Sequence, residues 1–210
     1  MRADTQKAIE NDDALLVAFA AGSPDAARQL AAHHLPRVYA VALRMLGQQS
    51  EAEDVAQEAM LRLWNVAPDW QPGRAQLSTW LYRVASNLAT DRLRARQRNR
   101  PAGEGAVEAL ADTSPGVEQN LIAAERDGAL HRAIAALPAR QKLAITLRHF
   151  EELGQQDIAE AMDTTVEAVE SLLGRARRAL ATMLAPIAPL AATGRQKTSR
   201  PLAIPKARVE

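Results

Sequence analysis

The apolar residues of this chain are almost entirely aliphatic, and this limits the folds that it can adopt. Aromatic residues make up only 3% of the sequence although 47% of it is hydrophobic, so a core must be built from Leu, Ala, Val, Ile and Met. Ala and Leu have the highest helix propensities among these. The sequence therefore predicts an all-α fold, and its 210 residues suffice for one ordinary domain or two small ones.

Several classes of protein are excluded by what the sequence lacks. The chain has no Cys, which excludes a disulfide framework, a thiolate metal site and a cysteine nucleophile. Its histidines are not spaced as metal ligands, and it has neither a Gly-rich phosphate loop nor a nucleophile elbow. We therefore expect no catalytic residue, no metal, no cofactor and no enzymatic activity. Without a signal peptide or a run of about 20 apolar residues, we expect a cytoplasmic protein with no membrane insertion.

Gly, Pro and capping residues divide the first part of the chain into helices. The pattern predicts a short helix capped by Asp12 or Asp13 and a second helix kinked or broken at Pro36. A capping box at residues 50–53 predicts a third helix that runs to about Ala67 and is terminated by Pro68. A fourth is predicted from Ser78 or Thr79 to about Arg98. The residues predicted to face inward are Val55, Ala59 and Leu63 on the third helix and Leu81, Val84, Ala85 and Leu88 on the fourth. Residues 12–98 are accordingly interpreted as one small helical domain.

A segment rich in Pro, Gly and small polar residues follows, at residues 99–117, and is interpreted as a flexible interdomain linker. A second helical domain is predicted at residues 118–184, with breaks at Pro138, at Gly154 and at a polar turn over residues 163–165. Beyond it, residues 185–210 contain four prolines and five basic residues against one Glu. This composition predicts a disordered basic tail.

A helix-turn-helix pattern lies in the second predicted domain, with a polar turn at residues 163–165. The second helix of this pattern has a predicted buried stripe of Val169, Leu173, Ala176 and Leu180. Its opposite face carries Glu167, Glu170, Ser171, Arg175 and Arg178. The first part of that face would enter a major groove, and Arg175, Arg177 and Arg178 would neutralise phosphates. A helical hairpin with a solvated charged face explains the same pattern equally well.

Charges of opposite sign are segregated on the third and fourth predicted helices, although the net charge is only +1. Six arginines and one acidic residue lie between Arg83 and Arg100, a pattern typical of a phosphate-binding surface. Trp70 and Trp80 flank the preceding loop, either as stacking platforms for single-stranded DNA or as core residues.

The third helix carries an outward patch of the opposite sign. This patch suits a basic protein partner or is simply a solvated face; its members are Asp54, Gln57, Glu58 and Leu61.

The order of these features resembles a known family. Residues 52–58 (AEDVAQE), Leu63-Trp64 and residues 80–94 (WLYRVASNLATDRLR) resemble the second conserved region of the extracytoplasmic-function (ECF) group of sigma-70 family factors. Residues 136–138 (ALP), Gln141, residues 157–160 (DIAE) and residues 175–180 (RARRAL) are similar to the fourth region. The resemblance covers roughly residues 12–184, with both motifs in the expected order.

The resemblance implies an alternative RNA polymerase sigma factor that promotes transcription initiation under the control of an anti-sigma factor. Asp54, Gln57, Glu58 and Leu61 would dock on the clamp helices of the largest subunit of core polymerase. Engagement and melting of the minus-ten element would fall to Trp80, Arg83, Asn87, Asp91, Arg92 and Arg94, with a base flipped into the loop around residues 70–78. The helix-turn-helix would bind the minus-thirty-five element as duplex through Glu167, Glu170, Ser171, Arg175, Arg177 and Arg178.

The recognition helix departs from the pattern of the family. Residues 168–172 read AVESL where many relatives have a Thr-Val-Lys-Ser-Arg-like sequence, so Glu170 and Leu172 replace cations. Asp163 stands in the turn where Gly is usual. Glutamate can accept a hydrogen bond from cytosine N4, so base readout by Glu170 remains compatible with the sequence. The alternative functions are a stand-alone helix-turn-helix transcriptional regulator and a non-catalytic protein that mimics a sigma factor and sequesters a partner.

Overall fold

The protein, in a computed structural model, is described for residues 2–73, 75–99 and 128–185. Within these residues the regular structure is entirely helical. The elements are α1 (Arg2–Ala20), α2 (Pro24–Leu46), α3 (Gln49–Val66), a 3-10 helix (Ala67–Asp69), α4 (Leu77–Arg98), α5 (residues 128–135), α6 (Ala139–His149), α7 (Gln155–Ala161) and α8 (Val166–Leu184). The predicted all-α fold is confirmed. The linker predicted at 99–117 and the tail predicted at 185–210 lie almost wholly outside the described residues.

The first domain is built around α2, which packs against α1, α3 and α4. The stripes predicted to face inward do so: Val55, Ala59 and Leu63 of α3 and Leu81, Val84 and Ala85 of α4 are buried, and Leu88 is partly buried. Because aliphatic residues at helical spacing fill the space between these helices, α3 and α4 are held side by side with their charged faces outward.

Local signals set both ends of α2. The Ser23 hydroxyl accepts a hydrogen bond from Ala26 N at 3.3 Å, and Pro24 occupies the first turn. At the other end Gly47 has φ 72°, and its N–H donates to Leu43 O at 2.8 Å. Glycine adopts this left-handed conformation without steric cost, so the chain can turn into α3.

The prediction that Asp12 or Asp13 caps the first helix is wrong. The helix α1 begins at Arg2, and both aspartates lie inside it. Asp12 Oδ2 lies 3.0 Å from His34 Nε2 on α2, and Asp13 accepts hydrogen bonds from the segment that follows the 3-10 helix. The two carboxylates therefore bind groups from other elements instead of the N-terminal N–H groups of α1.

The helix α2 continues past Pro36 to Leu46, so Pro36 does not break it. Pro36 removes the N–H that would bind Ala32 O, four residues earlier. Both residues are exposed, so water can bind this carbonyl. On the opposite face His34 and Val38 are buried, and their packing maintains the helix.

The capping box predicted at residues 50–53 does not form. The helix α3 begins at Gln49, and its N-cap residue, Gln48, makes no side-chain capping bond. Arg96 of α4 instead binds Gln48 Oε1 at 2.9 Å and the Glu51 carboxylate. Because arginine has only donors, this contact joins the start of α3 to α4 without capping the N–H groups of the first turn. The end predicted for α3 is correct within one residue, because the helix ends at Val66. The helix α4 begins at Leu77, one residue before Ser78, which is the first of its two predicted starts.

The second domain packs α6 and α7 against α8. Leu147, Ile158, Val169 and Leu173 are almost completely buried at its centre. The breaks predicted at Pro138, Gly154 and residues 163–165 separate consecutive helices, so the predicted helix-turn-helix, α7 and α8, is confirmed. This domain packs on the first, with α6 against α2 and α7 against α4.

Candidate nucleic-acid and protein interfaces

The outward side of α3 presents the predicted acidic patch. Its members, Asp54, Gln57, Glu58 and Leu61, are here called the acidic face; Asp54, Gln57 and Leu61 are exposed, and Glu58 is partly exposed. Leu61 has 57% of its surface in contact with solvent. An exposed leucine beside carboxylates offers a partner both apolar contact and negative charge.

The predicted minus-ten residues of α4 are unequally accessible. This set, here called the α4 face, consists of Trp80, Arg83, Asn87, Asp91, Arg92 and Arg94. Of these, Asn87, Asp91 and Arg94 are exposed, whereas Trp80, Arg83 and Arg92 are partly buried. Arg94 Nη1 lies 3.4 Å from Asp91 Oδ1, an exposed pair that an approaching phosphate can break at little cost. Arg94 is therefore the cation of this face that is most readily available to a ligand.

Two arginines of α4 bind the N-terminal part of α3. Arg92 Nη1 donates to Glu51 O at 2.5 Å and lies 3.6 Å from Asp54 Oδ2. Arg96 donates to Leu46 O at 2.9 Å as well as to Gln48 and Glu51. The contacts of Arg96 were missed in the sequence, where it was counted only as one charge of an arginine-rich helix. Its partners are 45 to 50 residues away along the chain, so no local pattern indicates them.

The two tryptophans that flank the loop before α4 contact each other. Trp70 and Trp80 pack edge to face, with ring centroids 6.1 Å apart and an interplanar angle of 88°, a favourable arrangement for aromatic pairs. Both are partly buried against the core. Each tryptophan therefore contributes part of its ring to the core, as one of the two interpretations predicted, and leaves the other part accessible to solvent.

The helix α8 separates its apolar and polar sides as predicted. Val169, Leu173 and Ala176 are buried and Leu180 is partly buried. The opposite side, here called the recognition face, consists of Glu167, Glu170, Ser171, Arg175, Arg177 and Arg178, and all six are exposed. Leu172, which replaces a cation of the family pattern, is only 8% exposed. Its side chain therefore contributes to the core of this domain and not to the recognition face.

The turn before α8 sets the start of the recognition helix. Asp163 adopts the left-handed conformation with φ 48°, which Asp tolerates better than most residues. The Thr165 hydroxyl then caps α8 by accepting from Ala168 N at 3.2 Å. Hydrogen bonds from the backbone N–H of Glu167 itself and from Thr165 lower the pKa of Glu167, so this side chain is an anion at neutral pH.

Comparisons with known proteins agree with this geometry. Residues 30–99 match the model of Sigma-70 region 2, and residues 127–180 match that of Sigma-70, region 4. The chain is 32% identical over 188 residues to the RNA polymerase sigma-H factor of Pseudomonas aeruginosa, covering 85% of this chain and 96% of that protein. It is 32% identical over 171 residues to the ECF RNA polymerase sigma factor SigW of Bacillus subtilis, covering 78% of this chain and 91% of SigW.

The chain belongs to the ECF group of the sigma-70 family. Among solved structures, CnrH in complex with the cytosolic domain of CnrY is similar, with a TM-score of 0.61 and 25% identity over 84% of this chain and 98% of that one. The fold is also shared by RpoE of Bartonella quintana, with a TM-score of 0.62 and 22% identity over 75% and 96% of the two chains. These matches favour the sigma factor over the stand-alone regulator.

A polar junction joins the two domains of this sigma factor. Glu151, after α6, accepts a hydrogen bond from the Tyr82 hydroxyl at 2.7 Å and lies 3.8 Å from Arg44 Nη1. The Arg44 guanidinium lies 4.0 Å from the centroid of the Phe150 ring. Burial, together with Glu151, raises the pKa of Tyr82 well above its ordinary value, and burial lowers the pKa of Arg44. No local sequence pattern indicated this junction.

The junction also includes a member of the α4 face. Arg83 donates from Nε and Nη2 to Glu160 O of α7, at 3.0 and 2.8 Å. Arg83 was predicted to contact DNA. In this arrangement of the domains its guanidinium is instead bound to the backbone carbonyl of Glu160.

In the part of the chain that the structure describes, no group of three or more His, Asp and Glu side chains is arranged around a common metal position. His33 is exposed and His34 is buried, so the neighbouring pair faces two directions. No described helix has the length and apolar character required to cross a membrane.

Proposed function

We propose that this sigma factor divides promoter recognition among its three charged faces. The acidic face of α3 binds the clamp helices of the largest polymerase subunit, and the α4 face engages the unwound minus-ten element. The recognition face of α8 binds the minus-thirty-five element as duplex. The protein acts in the cytoplasm with core polymerase, which performs all of the chemistry.

The observation that carries this proposal is the packing of α3 against α4 in one domain. The acidic face and the α4 face lie on neighbouring helices, joined where Arg92 Nη1 approaches Asp54 Oδ2 at 3.6 Å. Because the two helices share one core, docking of the acidic face on polymerase fixes the position of the arginines of α4. Complementary charge then directs each face to a partner of opposite sign.

The second domain supports a separate role in duplex binding. Arg175, Arg177 and Arg178 are exposed on a single helix that follows a helix-turn-helix turn. Arginines in this position bind phosphates and fix the orientation of the helix in the groove. Glu170 is exposed one turn earlier, where a carboxylate can accept a hydrogen bond from cytosine N4.

Binding of the minus-ten element by Arg83 requires a rearrangement of the domains. Arg83 is hydrogen-bonded to α7, so the second domain moves off α4 before this guanidinium reaches DNA. An anti-sigma factor that binds the closed arrangement would hold the protein inactive. The complex of the similarly folded RpoE with the anti-sigma factor NepR is a precedent for such a partner.

The deciding experiment is run-off transcription with purified core polymerase on a genomic promoter library. We expect the protein to direct initiation at a distinct set of promoters that core polymerase alone does not use. Absence of any specific start site, with the fold verified by circular dichroism, would exclude promoter recognition. Binding to core polymerase without initiation at any promoter would instead favour a sigma mimic.

Single substitutions separate assembly from promoter opening. Glu58→Lys should weaken core binding at least tenfold, because it places a cation against a basic partner. Glu53→Lys is the matched control, since Glu53 is an exposed carboxylate of the same helix that is not a member of the acidic face. Arg94→Ala should leave assembly unchanged and reduce open-complex formation. Arg94 is a sharper test than Arg92, whose removal would also disturb α3. Equal loss of assembly in Glu58→Lys and Arg94→Ala would exclude the proposed division of roles.

A further inference from the structure

One carboxylate of α1 binds two points of the segment between the 3-10 helix and α4. Asp13 Oδ1 accepts a hydrogen bond from the indole Nε1 of Trp70 at 2.9 Å. Asp13 Oδ2 accepts from the backbone N–H of Gly73 at 2.8 Å. Each carboxylate oxygen therefore has its own donor, and the donors are 57 and 60 residues away along the chain.

At Gly73, one of the two points that Asp13 binds, the backbone has a conformation that suits glycine. Gly73 has φ 74°, in the left-handed region, while a Cβ placed on it would have no atom within 4 Å. Glycine is thus required by the backbone conformation and not by lack of space. Trp70 in turn packs against Trp80 on the first turn of α4. Asp13 is therefore connected to the α4 face through the pair of tryptophans.

The helix that carries Asp13 is itself held firmly. Asp12, the preceding residue, is paired with His34, which is 2% exposed. Near the C-terminal end of α1, Phe19 packs against Trp64 of α3, with ring centroids 4.7 Å apart. Asp13 thus presents its two acceptors from a helix that is bonded to α2 and packed on α3, which is the arrangement expected of a residue that orients another group.

We propose that Asp13 is a positioning residue of the minus-ten site, which fixes Trp70 and Gly73 so that the loop is already shaped to receive an unpaired base. This inference rests on the proposed function of the α4 face. Extrusion of a base from the duplex is unfavourable because stacking is lost, and a loop that also had to become ordered would bind the base more weakly. By fixing Trp70 and Gly73 beforehand, Asp13 lowers the free-energy cost of ordering the loop when the base binds, although Asp13 itself does not touch DNA.

The test measures binding of holoenzyme to a short single-stranded oligonucleotide with the minus-ten non-template sequence of a promoter mapped by run-off transcription. The oligonucleotide is used intact and with one base removed at each position in turn. Asp13→Asn keeps the size of the side chain but replaces one acceptor oxygen by an NH₂ donor, which faces another donor. Trp70→Phe keeps one aromatic ring and removes the indole N–H, together with the part of the indole surface that the smaller ring does not replace.

For the wild-type protein we expect removal of one particular base to lower affinity at least tenfold. Asp13→Asn should bind the intact oligonucleotide about tenfold more weakly than wild type and should equal wild type on the strand that lacks this base. Trp70→Phe should act in the same direction, and the double variant should lose less than the product of the two single losses. Affinity for core polymerase should not change in any of them.

Asp25→Asn is the matched control, because it makes the same change at an exposed carboxylate of α2 whose partner, Arg28, lies on its own helix. Equal weakening by Asp13→Asn on intact and base-lacking strands would reveal a purely structural residue and overturn the inference. Wild-type affinity of Asp13→Asn on every strand would overturn it as well. If the wild-type holoenzyme bound every base-lacking strand as tightly as the intact one, base capture itself would be wrong, and the inference would fail with that part of the proposed function.

Discussion

The arginines of α4 and those of α8 look alike in the sequence but make different contacts in the structure. On α4, Arg92 and Arg96 donate to groups of α3 and of the turn before it, and Arg83 donates to α7. On α8, Arg177 and Arg178 are exposed and form no ion pair within the described residues. The guanidiniums of Arg83, Arg92 and Arg96 thus stabilise the protein as well as present charge, whereas those of Arg177 and Arg178 are free to bind DNA.

This difference shows that a cluster of arginines predicts a cationic surface but not the function of each member. An arginine has five N–H donors and can satisfy several carbonyl and carboxylate groups at once. Whether it does so depends on which carbonyls the fold brings near. Removal of Arg92 or Arg96 should therefore reduce stability, and removal of Arg177 or Arg178 should reduce DNA affinity.

The largest effect is expected for Arg96→Ala. The substitution leaves Leu46 O, Gln48 Oε1 and the Glu51 carboxylate without their donors. We expect the free energy of unfolding to fall by about 2–3 kcal/mol, measured by urea denaturation. Arg98→Ala is the matched control, because Arg98 is exposed on the last turn of α4; its effect should stay within about 0.5 kcal/mol. If both variants lost the same stability, the contrast between the helices would not hold.

The next effect concerns pH and the junction between the domains. The pKa of Tyr82 is raised above its ordinary value of 10.0 because the hydroxyl is buried and bound to Glu151. A raised pKa in the folded state gives stability that is complete below the pKa of the unfolded chain and is lost as pH rises above it. The stability difference between wild type and Tyr82→Phe should therefore shrink above pH 10, by up to about 1.4 kcal/mol per pH unit.

Urea denaturation at pH 9, 10 and 11 would measure this trend. The variant Tyr39→Phe removes the other tyrosine hydroxyl of the chain and should retain the pH dependence that is due to Tyr82. A stability difference that did not change between pH 9 and pH 11 would mean that Tyr82 is not held at a closed junction in solution.

A smaller effect, on binding instead of folding, is expected for Arg178→Ala. The loss of one phosphate contact should weaken holoenzyme binding to a minus-thirty-five duplex several-fold at low salt. The slope of log affinity against log salt should also decrease by about one. Arg28→Ala, which removes an exposed arginine of α2, should leave this slope unchanged. Unfolding stability should be unaffected within about 0.5 kcal/mol, in contrast to Arg96→Ala; a cost like that of Arg96→Ala would refute the comparison.

The sequence predicted those features that depend on spacing along a helix. The inward stripes of α3, α4 and α8 follow from apolar residues that recur every three or four positions, and the acidic face and the recognition face follow as their complements. The turn at residues 163–165 was recognisable from its polar composition. These signals are local, and nothing elsewhere in the fold opposes them.

The features that the sequence did not predict depend on residues far apart in the chain. Asp12 and Asp13 resemble N-cap residues, and only the positions of His34 and Gly73 explain why they lie inside α1. The start of α3, where a capping box was expected, is instead joined to α4 by Arg96, whose partners are 45 to 50 residues away along the chain. Pro36 was expected to disrupt α2, and it is tolerated because the carbonyl that it leaves unpaired is on the exposed side. In each case a tertiary contact or exposure to solvent outweighed a local preference.

The smallest effect is expected at the turn that sets the recognition helix. Asp163 and Glu152 are the two non-glycine residues with positive φ in the described part of the chain, at 48° and 54°. A left-handed conformation costs an L-residue about 1 kcal/mol, and Asp163→Gly removes this cost while making the unfolded chain more flexible. We therefore expect a gain of less than about 1 kcal/mol in the free energy of unfolding, measured by urea denaturation, with promoter choice unchanged.

Glu152→Gly is the matched control on the other side of α7, and it should give a similar gain without altering the turn. If Asp163→Gly instead changed which promoters are used while Glu152→Gly did not, the side chain of Asp163 would have a role in orienting α8, and the recognition face would depend on more than its own helix.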